Sequence, residues 1–325
     1  MKTRGTQDSR VRGPAMPDCG GRGGVAIRVR GLHKRYGDLE AVRGIDLTVR
    51  TGEIFAFLGP NGAGKTTTVE TLEGYRHRDA GEVEVLGTDP AHPAPGWRAR
   101  IGVVLQESEP EAELTVEECV ALYAGYYPRP RPVAETLELV GLADRPAIRC
   151  GRLSGGQRRR LDVALALIGD PELVFLDEPT TGFDPAARQS AWDVIAGLRN
   201  RGKTIFLTTH YMEEAERLAD RIAVIAAGRI VAEGTAATLG GRDTGASIVS
   251  FTLPCGVSAA DLPPAAAAAV TGGPGEKVEA RVTSPLPLLG ALAAWAKVRN
   301  VDLPDLQVLR PTLEDVYLQL TRESR

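Results

Sequence analysis

A glycine-rich loop between a predicted strand and a predicted helix constrains this chain more than any other feature. Residues 54–58 form a short apolar run, typical of a strand buried on both faces, and a helical stretch begins near Lys65. The loop matches the pattern GxxxxGK followed by Ser or Thr. Because glycines let successive N–H groups point inward, the loop is predicted to hold phosphate groups. Its residues, the phosphate loop below, are Gly59, Pro60, Asn61, Gly62, Ala63, Gly64, Lys65 and Thr66, with Thr67 next in line.

Three side chains of the phosphate loop carry chemistry of their own. Lys65 is predicted to place its ammonium against the β- and γ-phosphates, and the Thr66 hydroxyl to ligate a Mg²⁺ ion that bridges them. Asn61 is predicted to face the γ-phosphate. An ordinary glycine turn is the alternative, and the strand-loop-helix context disfavours it. ATP and Mg²⁺ are therefore the expected ligands.

Two carboxylates follow a second buried run, residues 173–176, where a parallel sheet presents its ligand sites. Asp177 is predicted to hold Mg²⁺, and Glu178 to polarise the attacking water as general base. An acidic pair after a strand is by itself more often a solvated helix start. The phosphate loop earlier in the chain is what favours the catalytic interpretation.

Two further polar residues end predicted strands. His210 follows the run 204–207 and is predicted to hydrogen-bond the γ-phosphate or the water, although lone histidines are more often structural. Gln106 ends the run that starts at Ile101 and is predicted to reach Mg²⁺ or the water. Neither residue carries meaning without the other motifs.

The pattern along the chain predicts an α/β fold, because further short apolar runs alternate with helical segments. Alternation at residues 25–29 and 45–49 predicts antiparallel strands before the core, and the stretch between 115 and 168 shows only helical spacing. We expect a disordered tail, a core domain with a helical subdomain, and a small α+β C-terminal domain. Their expected bounds are 1–24, 25–240 with the helical subdomain at about 107–170, and 241–325.

Composition bears on the expected partners, the compartment and membrane insertion. A net charge of -3 does not suggest a nucleic-acid partner. The four cysteines show no metal-ligand spacing and fit a reducing, cytosolic compartment. The apolar stretch at 286–298 contains Pro287 and Lys297 and is shorter than the roughly 20 residues of a spanning helix.

The discriminating motif is the string Leu153, Ser154, Gly155, Gly156, Gln157, called the signature segment below. It resembles the signature of ABC ATPases. In chain order, residues 25–240 also resemble that family at Tyr36, the phosphate loop (Walker A), Gln106, the Asp177 segment (Walker B), Asp184 and His210. The resemblance implies a P-loop NTPase core with an antiparallel β-subdomain and a helical subdomain.

The resemblance also implies roles that cross between two subunits. Tyr36 would stack on adenine, and Ser154 and Gly156 would reach the γ-phosphate bound by the opposite subunit. Asp184 would belong to the D-loop at that interface. A homodimer is predicted because one chain carries every motif, and pairing with a different ATPase subunit stays open.

The C-terminal stretch 309–318 resembles the ending of drug and antibiotic exporter subunits of the daunorubicin-resistance type. The implied function is the ATP-hydrolysing subunit of a multidrug-type exporter, bound to a separate transmembrane permease at the cytoplasmic face of the membrane. A soluble ABC ATPase in DNA repair or on ribosomes is an alternative, although this chain has neither a long coiled coil nor a second cassette. An importer subunit is another. A P-loop GTPase or kinase would leave the signature segment unexplained.

Overall fold

The computed structural model describes residues 24–104, 110–241, 247–267, 270, 275–309 and 312–322. Its strands are β1 (Val25–Tyr36), β2 (Leu39–Arg50), β3 (Ile54–Leu58), β4 (Ala80–Val85), β5 (Ile101–Val104), β6 (Leu173–Asp177), β7 (Thr204–Thr209), β8 (Arg221–Ala226), β9 (Arg229–Gly234), β10 (Ser247–Thr252), β11 (Lys277–Val282) and β12 (Gln307–Leu309). Its α-helices are α1 (Lys65–Leu72), α2 (Val116–Ala124), α3 (Val133–Leu139), α4 (Gly155–Leu167), α5 (Pro185–Asn200), α6 (Met212–Leu218), α7 (Pro264–Ala267), α8 (Pro285–Arg299) and α9 (Leu313–Arg322).

The main sheet has six strands in the order β5-β6-β7-β3-β8-β9. The first five strands run parallel, and β9 pairs antiparallel with β8. Every residue of β3 is buried, as expected for a parallel strand covered on both faces. This order makes β6, β7 and β3 neighbours, so their carboxyl ends lie side by side.

The side chains of β3 alternate between the two faces of the main sheet. Phe55 and Phe57 point to one face, where both ring centroids lie 5.7 Å from that of Phe206 and where the three-stranded antiparallel sheet β2-β1-β4 packs. Ala56 and Leu58 point to the other face, which α6 and α9 cover. The antiparallel sheet and α9 therefore flank the central strand from opposite sides.

The described part of the region between β5 and β6 contains α2, α3 and α4, as the helical spacing of the sequence predicts. Helices α2, α3 and α4 share one apolar core with the β5–β7 part of the sheet. Thr115 caps α2 by accepting a hydrogen bond from the Glu118 backbone N–H, and the Glu118 carboxylate accepts one from the Thr115 N–H. With this region, the predicted α/β fold with an antiparallel sheet and helical part is confirmed.

The C-terminal part forms a second small sheet, β11-β10-β12, covered by α8 around a core that includes Phe251 and Leu292. The strands predicted at 248–253 and 278–282 are β10 and β11. Helix α9 returns to the main sheet. The predicted tail at 1–23 lies outside the described residues, and the division at 24/25 and 240/241 stays a prediction. Within the part of the chain that is described, no helix is both long and apolar enough for a bilayer.

Candidate functional site

The carboxyl ends of β3, β6 and β7 open into a cavity of about 810 Å³, within the roughly 300–1,000 Å³ of typical ligand sites. The phosphate loop follows β3, Asp177 ends β6, and His210 follows β7. The sheet order brings these segments together although they are far apart in sequence. The cavity is lined by Tyr36, Leu39, Ala41, Gly59, Pro60, Asn61, Gly62, Gly64, Lys65, Thr66, Thr67, Asp177, Glu178, His210 and Tyr317.

The backbone of the phosphate loop depends on glycine at its last turn before α1. Gly64 has φ 104°, a conformation that residues with a Cβ rarely adopt. A Cβ at this position would lie 2.5 Å from the Ala41 carbonyl oxygen. Gly64 therefore lets the loop pass close to Ala41. The loop lies at the N-terminus of α1, where backbone N–H groups can bind an anion.

Lys65 is almost fully buried beneath the loop, with 9% of its surface exposed. Its Nζ donates hydrogen bonds to the carbonyl oxygens of Gly59 at 2.6 Å and Pro60 at 3.2 Å. Burial lowers the pKa of Lys65, while the charges of Glu178 and Asp177 act in the opposite direction. An ammonium has three donors, so one remains for a phosphate oxygen.

The donor set at the end of β6 fits a Mg²⁺ ion. Asp177 and the exposed Thr66 line the same cavity and offer a carboxylate and a hydroxyl, the hard oxygen ligands that Mg²⁺ prefers. The Thr208 hydroxyl donates to the Asp177 carboxylate and orients it. No cluster of three or more metal-ligating side chains occurs among the described residues, so phosphate oxygens and water would complete the shell.

Glu178 and His210 lie in contact with each other at the cavity. The distance between Glu178 Oε2 and His210 Nδ1 is 3.3 Å, and the Thr181 hydroxyl donates to the same carboxylate oxygen at 3.3 Å. Glu178 has φ 47°, a left-handed conformation that is uncommon outside glycine and recurs at functional sites. This turn directs Glu178 into the cavity directly after Asp177.

Tyr36 lines the cavity from the antiparallel sheet, at the end of β1, with 39% of its surface exposed. The Arg76 guanidinium lies 5.2 Å and Lys34 Nζ 5.7 Å from its ring centroid. Arg76 is held by Glu70 at 2.6 Å. An aromatic ring beside the phosphate loop suits the stacking predicted for Tyr36.

The signature segment lies elsewhere: of its five residues, none lines the cavity. Ser154 caps α4 by accepting a hydrogen bond from the Gln157 N–H at 3.3 Å, while the Gln157 side chain accepts one from the Ser154 N–H at 3.0 Å. Ser154 and Gly155 are exposed. The segment is thus a helix N-terminus outside the cavity that its own phosphate loop lines.

Two other predicted residues that the structure describes do not line the cavity. Asp184 is exposed and caps α5, accepting a hydrogen bond from the Ala187 N–H at 2.8 Å. Ala63 is buried within the phosphate loop instead of lining the cavity. Gln106 lies outside the described residues, so its predicted role stays a prediction.

The structure places further residues at or next to the site that the sequence motifs do not predict. Arg159, on α4, donates to the carbonyl oxygens of Asp177 at 2.6 Å, Glu178 at 3.3 Å and Pro179 at 3.2 Å. It ties the signature helix to the end of β6 within one chain. Arg159 is the middle of three consecutive arginines, and the sequence alone does not show which of them contacts the end of β6. Leu39, Ala41 and Tyr317 line the cavity without any local sequence signal.

Comparisons with known proteins agree with this geometry. The ABC transporter family model matches residues 42–181, and the model of the ABC transporter domain-containing protein-like C-terminal domain matches residues 247–312. Daunorubicin resistance ATP-binding protein DrrA3 of Streptomyces coeruleorubidus is 40% identical over 93% of this chain and 97% of its own length. Nod factor export ATP-binding protein I of Burkholderia orbicola (strain AU 1054) is 40% identical over 91% of this chain and 96% of its own.

A solved structure, the ADP conformation of the ATP-binding cassette MJ1267 of an ABC transporter, matches with a TM-score of 0.59 at 26% identity. The match covers 65% of this chain and 91% of that one. A nucleotide-hydrolysing cassette is the class of protein that this fold and cavity define. The chain belongs to the ATP-binding proteins of ABC transporters, and it is an ATPase. The family and the enzyme class predicted from the sequence are confirmed.

Proposed function

We propose that this ATPase powers an ABC exporter from the cytoplasmic face of a membrane, as a dimer bound to a separate transmembrane subunit. The relatives support export, since one is named for daunorubicin resistance and the other for Nod factor export. Their names bear out the exporter predicted from the sequence, and neither is named as an importer or as a soluble repair or ribosomal ATPase. A membrane subunit would supply the spanning helices.

The observation that carries the proposal is the convergence of Lys65, Asp177, Glu178 and His210 on one cavity, with the signature segment outside it. We call these four residues the cis half of the site. A single chain thus holds a phosphate cradle, a metal ligand and a base, and presents the N-terminus of α4 to a second molecule. Two copies related by a two-fold axis would complete two sites.

The chemistry proposed is attack of water on the γ-phosphorus of ATP, with ADP as leaving group. Glu178 accepts the proton of the water, and His210 holds the carboxylate and the γ-phosphate in place. Lys65 and the loop N–H groups stabilise the charge that develops on the phosphate oxygens. Thr66 and Asp177, with Gln106, would hold Mg²⁺, which would supply positive charge to neutralise the phosphate oxygens.

Coupling to transport follows from the two-chain site. ATP favours the closed dimer because Ser154 and Gly156 of the opposite chain contact the γ-phosphate only in that state, and loss of that phosphate reopens it. Closing and opening would move the membrane subunit between its inward and outward states. Asp184, exposed at the start of α5, would lie at the same interface. A homodimer satisfies this scheme, and a different ATPase subunit with the same motifs would also satisfy it.

The test is the isosteric variant Glu178→Gln. It should bind ATP, lose turnover by on the order of a thousandfold because the general base is gone, and accumulate as a dimer with Mg-ATP. Steady-state hydrolysis and size-exclusion chromatography with light scattering measure both effects.

The matched control is Glu213→Gln, the same change at an exposed glutamate on α6 that does not line the cavity. It should hydrolyse ATP like the wild type. Normal hydrolysis by Glu178→Gln would remove Glu178 from the proposed role, and absence of an ATP-dependent dimer would contradict the shared site.

A further inference from the structure

The last helix of the chain reaches the nucleotide cavity. Helix α9 follows the small C-terminal domain, but its apolar face packs on the main sheet, where Leu313 is 1% exposed. Tyr317, one turn later, packs against the same cluster and lines the cavity. The C-terminal part of the chain therefore contributes a side chain to the space that holds the phosphate loop.

Two features fix the position of α9. Thr312 and Asp315 cap its start reciprocally: the Asp315 carboxylate accepts from the Thr312 N–H at 2.8 Å, and the Thr312 hydroxyl accepts from the Asp315 N–H at 3.1 Å. Val316 is 9% exposed and packs on Gly240. Gly240 has φ 60°, and a Cβ there would collide with Val316 Cγ1. The helix is thus seated on a glycine that leaves room for it.

The packing also shows on which face of the central strand Tyr317 lies. Its cluster contains Leu58, the residue before Gly59, and Ala215 of α6, the helix that begins just after His210. Tyr36 instead comes from the antiparallel sheet, on the opposite face of β3. The two tyrosines therefore lie on opposite faces of the central strand, with Tyr317 on the face covered by α6, the helix that follows His210.

We propose that Tyr317 is a second aromatic residue of the nucleotide site, contributed by the C-terminal helix, and that its hydroxyl donates a hydrogen bond at the γ-phosphate end. This inference rests on the proposed placement of ATP in the cavity. Among the described residues, the Tyr317 hydroxyl has no hydrogen-bond partner, and its ring is half-buried. Burial raises the pKa of Tyr317, which keeps the hydroxyl protonated and able to donate. The C-terminal helix would then respond to the presence of the terminal phosphate.

The experiment compares Tyr317→Phe, Tyr317→Ala and Leu318→Ala in the full chain. Leu318 is the matched control, because it neighbours Tyr317 on α9, is 41% exposed and does not line the cavity. Equilibrium binding of a non-hydrolysable ATP analogue and of ADP, each with Mg²⁺, is the measurement. Tyr317→Phe should weaken the analogue about tenfold, the effect of losing a hydrogen bond to a charged group, and ADP less than twofold. Tyr317→Ala should weaken the analogue at least as much, and Leu318→Ala should change neither.

Two results would overturn the inference: unchanged binding of both nucleotides by Tyr317→Phe, or equal weakening of analogue and ADP by that variant. Thermal unfolding shows whether each variant is folded, and Tyr317→Phe keeps the ring that packs against the cluster containing Leu58. Lys65→Ala distinguishes a failure of the nucleotide site from a failure of the role of Tyr317 alone. It should abolish binding of the analogue, and undiminished binding would overturn the nucleotide site itself together with the role of Tyr317.

Discussion

The cis half of the site and the signature segment are built in opposite ways. Lys65 is buried, and Glu178 is oriented by contacts from Thr181 and His210, all within one chain. Ser154 and Gly155 are exposed at a helix N-terminus, and their described contacts stay within α4 and its cap. One half is thus preorganised by its own fold, while the other is an exposed surface that, in the proposed function, acts on the opposite chain. Under the proposed function, one chain would carry two halves of different sites.

The largest expected effect comes from breaking each half separately. Lys65→Ala removes the buried ammonium, and Gly156→Asp places a carboxylate where the γ-phosphate of the opposite chain would lie. Each variant alone should lose hydrolysis by on the order of a hundredfold or more. Mixed in equal amounts, they should recover roughly a quarter of wild-type activity, because half of the dimers are mixed and each mixed dimer has one intact site. Steady-state phosphate release measures this.

A second mixture is the control for this complementation. Lys65→Ala and Glu178→Gln both alter the cis half, so no arrangement of these two chains restores an intact site. Gly156→Asp should fold normally, because a Cβ at this position meets only Ala187 Cβ, at 3.8 Å. Recovery in the control mixture, or none in the test mixture, would contradict the separation of the two halves.

A buried carboxyl group near Asp177 of the cis half predicts a pH effect on stability of intermediate size. Glu73, at the end of α1, is 5% exposed, and burial, with smaller contributions from Asp177 and Glu70, raises its pKa to about 8 from an ordinary value of 4.5. Between these values the folded chain holds a proton that the unfolded chain has lost. The contribution of Glu73 to stability should therefore be fully present below about pH 4.5 and should be lost as the pH rises towards 8.

The variant Glu73→Gln mimics the protonated carboxyl and should remove that fall. Between pH 5 and pH 8, the wild type should lose about 3 kcal/mol of unfolding free energy relative to the variant. Denaturant unfolding at several pH values measures the difference. Glu213→Gln, at an exposed glutamate, should leave the wild-type slope unchanged. Equal slopes for the wild type and Glu73→Gln would show that Glu73 is ionised in the folded chain.

How much of the fold the sequence predicts depends on burial. Strands β3, β6, β7 and β8 lie within one or two residues of the predicted apolar runs, because parallel strands covered on both faces read as continuous apolar sequence. Three strands, β4, β9 and β12, were not predicted. In β4 only Val83 and Val85 are buried, and every residue of β12 is exposed, so neither pattern stands out from a loop.

The cis half is similarly readable, because Lys65, Asp177 and His210 each follow a buried strand. Arg159 and Tyr317 could not be found in this way. Arg159 acts through backbone carbonyl oxygens, which have no sequence signal, and its direction depends on the rotational phase of α4. Tyr317 reads as one more apolar position of an amphipathic helix. Its place at the cavity depends on the packing of α9 across the main sheet.

The smallest expected effect separates the two tasks of Ser154, as helix cap and as proposed ligand in trans. Ser154→Ala should cost about 1 kcal/mol of unfolding free energy, whereas Ser154→Asp should keep the cap and the stability. Both variants should lose hydrolysis. The loss should be larger for Ser154→Asp, because its charge would repel the γ-phosphate bound by the opposite chain.

The matched control is Thr115→Ala, which removes the same kind of capping box from α2. It should show the stability loss alone, measured by denaturant unfolding without nucleotide. Equal hydrolysis by Ser154→Ala and Thr115→Ala would confine Ser154 to capping.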